Sequence, residues 1–213
     1  MFGTYDFYVF LIAGITLNLL PGPDTMYIVG RSVAQGRQAG FLSVLGICSG
    51  AFIHTTAAAF GLSAILFTSA IAFSMVKWAG ALYLVYLGLQ MLIDKSPGPQ
   101  EHIDIVETTP ADYWTIYKQG LFTNLLNPKV AMFFMAFFPQ FVTRDHASNP
   151  LPFLFLGCVF IFTGTLWCLF LAAMAATVSK GLRRRTKSLQ LAKRFTGLIF
   201  MGLGIRLAIQ GQR

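Results

Sequence analysis

Two short motifs within apolar stretches carry the residues best suited to chemistry. The first runs from Asn18 to Asp24 and reads Asn-Leu-Leu-Pro-Gly-Pro-Asp, and the second runs from Asn124 to Lys129 and reads Asn-Leu-Leu-Asn-Pro-Lys. Each places Asn-Leu-Leu before a helix breaker, and one supplies an acid where the other supplies a base. Ionisable residues at membrane depth are functional candidates by default. A carboxylate and an ammonium together would complement the two charges of a zwitterion.

The breakers explain why these motifs form a site. Proline removes a backbone N–H and clashes with the preceding turn, so Pro21, Pro23 and Pro128 should interrupt their helices. Gly22 permits backbone conformations that other residues avoid. Pro23 and Pro128 are suited to the first turn of a new helix, which predicts free amides near Lys129 that could bind an anion. Packing kinks are the alternative, and the matched positions in both halves make them the weaker interpretation.

Composition places the chain in a membrane. It is 55% hydrophobic and only 11% charged, whereas a soluble domain carries about 25% charged residues. The net charge of +8 does not indicate nucleic-acid binding, because the basic residues cluster between apolar segments where they can set orientation. The three cysteines lie within apolar runs without a paired motif, so no metal site, cofactor or redox centre is expected.

Apolar runs of about 20 residues predict an all-α integral membrane protein with six transmembrane helices. The predicted spans are 6–30, 41–67, 71–93, 115–138, 151–178 and 191–209. Residues 1–93 and 115–213 form two three-helix repeats within one compact membrane domain, and residues 94–114 form a polar cytoplasmic linker. The first and fourth helices are the ones broken at the proline motifs.

The two halves are expected to be inverted repeats. Asn18-Leu19-Leu20 corresponds to Asn124-Leu125-Leu126, and weaker matches follow in the same order in the later spans. Because each half holds an odd number of spans, the second half enters from the opposite side, as in many transporters. Most Lys and Arg residues fall on one side, which predicts that this side is cytoplasmic and that both termini lie outside.

At these motifs the sequence resembles the lysine exporter and homoserine/threonine exporter family (LysE/RhtB). The resemblance is carried by Asn18–Asp24 with Arg31, Gly36-Arg37-Gln38-Ala39-Gly40, Gly80–Gly88, Gly120–Lys129 and Phe138-Pro139-Gln140-Phe141. It covers most of the chain and is unspecific for substrate. It implies a bacterial inner-membrane exporter of amino acids or close derivatives, driven by the proton-motive force through antiport and alternating access.

The candidate substrate-binding or proton-coupling residues come from both motifs and from the second span. They are Asn18, Pro21, Gly22, Pro23, Asp24, His54, Asn124, Asn127, Pro128 and Lys129. Lys129 would bind a carboxylate and Asp24 an ammonium or the coupling proton, whereas His54 is either a proton relay or a packed side chain. Whether Asp24 and Lys129 touch stays open at this stage.

Other functions are less favoured. Export of divalent metal ions or another small solute on the same fold is the main alternative, although Lys129 would repel a cation. No nucleotide motif or catalytic constellation is present, so the chain is not expected to be an enzyme. The expected partners are an amino acid or derivative, protons and the lipid bilayer, with no nucleic acid, and a homodimer is left open.

Overall fold

The computed structural model describes residues 3–62, 112–143, 146 and 148–177, with further single positions between 71 and 93 and between 198 and 205. The described residues are mostly helical. Among them, Thr4 and Val142 form an isolated antiparallel β-bridge. The predicted third and sixth spans and the linker lie mostly outside the described residues.

The first helix is interrupted at its proline motif. Helix α1 spans Phe7–Leu19, and α2 begins at Pro23. Leu20 and Gly22 between them have extended backbones. Pro21 cannot continue the ladder of α1, and Pro23 occupies the first turn of α2, where its missing N–H costs nothing.

Helix α2 spans Pro23–Ala57 and contains one non-helical residue, Gly36, with φ 84° and ψ −174°. A positive φ is readily adopted only by glycine. The contact between Gly40 and Ser32 shows that the chain turns back here, since a Cβ atom on Gly40 would collide with the Ser32 side chain eight positions earlier. Residues 23–35 and 37–57 therefore form two arms of a helical hairpin.

This hairpin corrects the predicted boundaries of the first two spans. From the sequence, the first span was predicted to end at Gly30 and the second to begin at Phe41. Helix instead continues to both sides of Gly36. Glycine adopts a positive φ at little cost, so a single glycine can reverse the chain without a longer loop.

The second half contains a similar interruption. Helix α3 spans Tyr113–Leu125, and α4 spans Pro128–Met132. Helix α4 continues into a π-helical turn at Phe133–Phe137 and a 3-10 turn at Phe138–Phe141. The axis bends by 47° at the break. Helix α5 then spans Pro150–Thr177, close to the predicted fifth span.

By length and composition, two helical stretches of the described chain could cross a membrane: Pro23–Gly61, which includes the turn at Gly36, and Pro150–Thr177. The bent pair Tyr113–Leu125 and Pro128–Phe141 is a third candidate. The described chain is thus an all-helical membrane protein. Six spans in two inverted repeats remain a prediction.

Two hydrophobic clusters hold these helices together. The larger, here the aromatic cluster, joins α1 and α5 to the turns that follow α4, and its rings are Phe10, Phe133, Phe134, Phe137, Phe138, Phe141, Phe153 and Phe160. The smaller, here the aliphatic cluster, joins both arms of α2 to α5, and it contains Ile28, Val44, Ile47 and Ala172 with Tyr27, Cys48 and Cys168 packed against it. The space between the two clusters is where the helix breaks meet.

Candidate functional site

The two interrupted motifs face each other across one cavity of about 60 Å³. This volume is several times the roughly 10–15 Å³ that a cavity needs to hold one water molecule. Its polar lining comes from the two breaks, and consists of Asn18, Gly22, Asp24, Thr25, Asn124, Asn127 and Lys129. Its other walls are mostly apolar and come from the second arm of α2 and from α5: Ile47, Cys48, Ala51, Phe160, Ile161, Gly164, Thr165 and Cys168.

The Asp24 carboxylate is held by amides from the other half of the chain. Asn124 Nδ2 donates to one carboxylate oxygen at 2.7 Å, and Asn127 Nδ2 donates to the other at 3.2 Å. Asp24 lies in the first turn of α2, where the helix dipole favours a negative charge. The carboxylate of the first break is thus held in place by side chains of the second break.

The Lys129 ammonium makes the reciprocal contacts. Its Nζ donates to the carbonyls of Leu17 and Leu20, each at 3.0 Å. These carbonyls lie at the end of α1, where a cation is favoured, and the Leu17 carbonyl also accepts the Leu20 backbone N–H at 3.3 Å. The described chain contains no direct ion pair between Asp24 and Lys129. Each charge instead binds the interrupted backbone or amides contributed by the opposite half.

Asn127 has a second role that changes one expectation. Its Oδ1 accepts a hydrogen bond from the Lys129 backbone N–H at 3.1 Å, so it caps α4. The amides of Val130 and Ala131 donate to the Asn127 carbonyl. The free amides expected after Pro128 are therefore occupied, because a capping side chain precedes the helix and its first turn closes on the cap. The Lys129 side chain remains the cationic group at this break.

Each break also contacts a glycine in the opposite half. The Asn18 side chain packs against Gly164, and Asn18 Nδ2 reaches Thr163 Oγ1 at 3.3 Å. Asn124 packs against Gly50, and its own Oδ1 is buried without a hydrogen-bond partner among the described residues. The missing side chains of these glycines allow the asparagines to approach closely.

His54 lies beside the cavity and outside its lining. Its Nε2 is 3.4 Å from the Asn124 carbonyl, and its ring stacks on Phe134 with 5.6 Å between centroids. Pro21, Pro23 and Pro128 shape the breaks through their effect on the helices. The remaining predicted residues, Asn18, Gly22, Asp24, Asn124, Asn127 and Lys129, all line the cavity.

Sequence reasoning missed several wall residues. Cys48 and Thr165 face each other, with Sγ and Oγ1 3.0 Å apart, and Cys168 lies on the same wall. Their apolar surroundings resemble any buried face, so no local signal marked them. Gly46 and Gly50 could have been recognised from their spacing, since small residues four apart allow close helix packing in membranes.

Known proteins match this chain over most of its length. The family model for LysE type translocators matches residues 15–211. The chain is 29% identical over 208 residues to a leucine efflux protein of Enterobacter sp. (strain 638), covering 97% of each chain. It is 27% identical over 207 residues to a leucine efflux protein of Salmonella typhimurium, covering 97% of this chain and 96% of the relative.

A third relative carries no assigned activity. It is the uncharacterized membrane protein YrhP of Bacillus subtilis, 30% identical over 196 residues, which cover 90% of this chain and 92% of the relative. No solved structure matches the chain. Since the family model spans nearly the whole sequence, the predicted resemblance is confirmed, and the chain belongs to the LysE family of membrane translocators.

Proposed function

We propose that the protein exports amino acids or close derivatives, with the cavity at the facing breaks as the binding site. One observation carries this proposal: Asp24 and Lys129 line the same small cavity without pairing with each other. A zwitterion presents one ammonium and one carboxylate. The leucine efflux proteins among the relatives support the same substrate class.

The walls favour a neutral, apolar substrate side chain. Away from the two breaks, the cavity is lined by uncharged groups such as Ile47, Ala51 and Ile161. In the described lining, Asp24 is the carboxylate and Lys129 the ammonium, so a basic or acidic substrate side chain would find no second counter-charge. A charge left unpaired away from water is costly. Leucine is therefore the first substrate to test.

Substrate binding can exchange partners without leaving groups unsatisfied. Lys129 can turn from the Leu17 and Leu20 carbonyls to the substrate carboxylate, and the substrate ammonium can take those carbonyls or the Asp24 carboxylate. The interrupted backbone thus serves as an acceptor site, which is how irregular backbone at membrane depth is commonly used. The amides of Asn18 and Asn124 supply further hydrogen bonds.

Coupling to protons and alternating access extend the proposal. Asp24 can bind a proton or an ammonium at the same oxygens, so alternating occupancy would give antiport. The reciprocal contacts of the breaks, Asn18 with Gly164 and Asn124 with Gly50, support an inverted repeat in which one half moves against the other. The excess of basic residues around Gly36 favours a cytoplasmic location for that turn, in a bacterial inner membrane with both termini outside.

The test is a transport panel in proteoliposomes with an imposed pH gradient. We expect proton-dependent movement of leucine and similar neutral amino acids, and at least tenfold slower movement for Lys129→Met. Lys118→Met removes an exposed lysine that lies over Trp114 and should transport normally. Proton-dependent movement of a divalent metal ion with no amino acid moved would overturn the proposal in favour of the metal-export alternative.

A further inference from the structure

Arg31 is a buried cation with no counter-ion among the described residues. It is 5% exposed, and its Nη2 donates to Gln119 Oε1 on α3. Its guanidinium carbon lies 5.6 Å from the centroid of the Tyr27 ring. Nε and Nη1 have no hydrogen-bond partner among the described residues. Burying a charge and leaving two donor nitrogens unpaired is costly, so we expect a ligand to bind these nitrogens in some state of the protein.

The position of Arg31 relates it to the cavity. Asp24, Ile28 and Arg31 are spaced to lie on one face of α2, and Arg31 is about 10 Å from Asp24 along the helix at 1.5 Å per residue. Ile28 between them is fully buried in the aliphatic cluster. Ile47 and Cys48 belong both to this packing and to the cavity wall. Along α2 from Asp24 towards Gly36, the cavity comes first, the aliphatic cluster next and the Arg31 guanidinium last.

Among the described residues, Gln119 is the side chain that hydrogen-bonds the guanidinium. Gln119 is exposed on α3, and it also lies 3.4 Å from the Tyr27 hydroxyl. Tyr27 itself is anchored by a 2.7 Å bond to the Ile116 carbonyl. Rotation of the Gln119 amide would free the Arg31 guanidinium for a ligand, while the Tyr27 ring beside it would stay in place.

We propose that Arg31 forms a second binding site for the substrate carboxylate, occupied on the side of Gly36 before the substrate crosses the aliphatic cluster to the cavity. This inference rests on the proposed function, which supplies a substrate with a carboxylate. A guanidinium presents donors in a fork that matches a carboxylate through two hydrogen bonds. Gln119 holds the fork in the empty state and gives way to the ligand. A purely structural tie between α2 and α3 would use Nη2 alone and would leave the other donors unexplained.

The first experiment measures leucine transport in inside-out membrane vesicles. Arg31→Gln should raise the half-saturating leucine concentration about 10- to 100-fold, the loss expected for charge-assisted hydrogen bonds, and change the maximal rate less than about twofold. Arg37→Gln, the same change at an exposed arginine beside Gly36, should leave both values within about twofold. Gln119→Leu removes the tie and keeps the guanidinium, so an effect equal to that of Arg31→Gln would overturn the proposal.

The second experiment does not depend on transport. The Arg31 Nε–H signal in ¹⁵N NMR spectra of the purified protein, assigned with Arg31→Lys, is followed during titration with 4-methylpentanoate or 3-methylbutylamine. We expect a saturable shift with the carboxylate and none with the amine. Absence of a carboxylate shift would refute the site at Arg31, whatever the vesicles transport. If no amino acid moves in vesicles yet the signal shifts, the proposed substrate fails and the carboxylate site stands.

Discussion

Gly46 lies where α2 packs closely against α3, so Gly46→Ala tests how the site is positioned. A Cβ atom there would collide with the Tyr117 carbonyl oxygen and lie 2.8 Å from the Leu121 backbone nitrogen. Non-bonded heavy atoms are most favourable at about 3.5–4.0 Å, so the helices must separate by about 0.7 Å or more. Backbone atoms cannot rotate away, which favours the upper end of the overpacking range, about 3 kcal/mol.

Two effects then determine the measured outcome. Alanine recovers about 1 kcal/mol of helix propensity relative to glycine, so the net loss is about 2 kcal/mol. For a chain of this length that lowers the melting temperature by about 4–8 °C. The same separation would lengthen the 2.7 Å bond from Asn124 to Asp24 beyond normal hydrogen-bonding distance. Leucine export should therefore fall at least tenfold.

Thermal unfolding of the purified protein in detergent and leucine export measure these effects. The matched control is Gly61→Ala, because a Cβ atom at Gly61 meets nothing within 4 Å in the described chain. This control should melt at or slightly above the wild-type temperature and export normally. If Gly46→Ala melts with the wild type and exports at full rate, the close contact between α2 and α3 does not position the site.

Three further substitutions probe the breaks. Asn124→Leu removes the 2.7 Å donor to Asp24 and should cost about 1.5–3 kcal/mol of binding or coupling, measured as a tenfold or greater loss of proton-dependent export. Asn127→Ala removes the cap of α4 and should lower unfolding free energy by about 1 kcal/mol in a denaturant titration; an unchanged midpoint would contradict the capping role. His54→Phe keeps a ring for stacking, so export above half the wild-type rate with unchanged pH dependence is expected, and its loss would favour proton relay instead.

Much of the site could be predicted from local chemistry. Proline kinks or breaks a helix when it lies in the interior, so both breaks could be predicted from Pro21, Pro23 and Pro128. The apolar runs and their basic flanks identified a membrane protein before any contact was known. The pairing of an acid with a base in matched motifs pointed to Asp24 and Lys129, and both line the cavity.

The partners of those charges could not be predicted in the same way. The sequence left open whether the two charges touch, and in the structure Asp24 binds two asparagine amides and Lys129 binds two carbonyls. The choice depends on which helix ends meet across the halves. Arg31 is a similar case, since the sequence treated it as an orientation signal and the packing of α3 against α2 buries it.

The sequence by itself determined where the helices break and which ionisable groups accompany the breaks, because proline, glycine and charge act over one or two turns of the chain. Only the tertiary structure decided that α2 folds into a hairpin at Gly36 and that α3 packs closely against Gly46 and Gly50. It also decided that the charge of each break binds groups contributed by the opposite half. Those outcomes depend on close packing between segments far apart in the chain, where the absence of a single side chain sets the distance between two backbones.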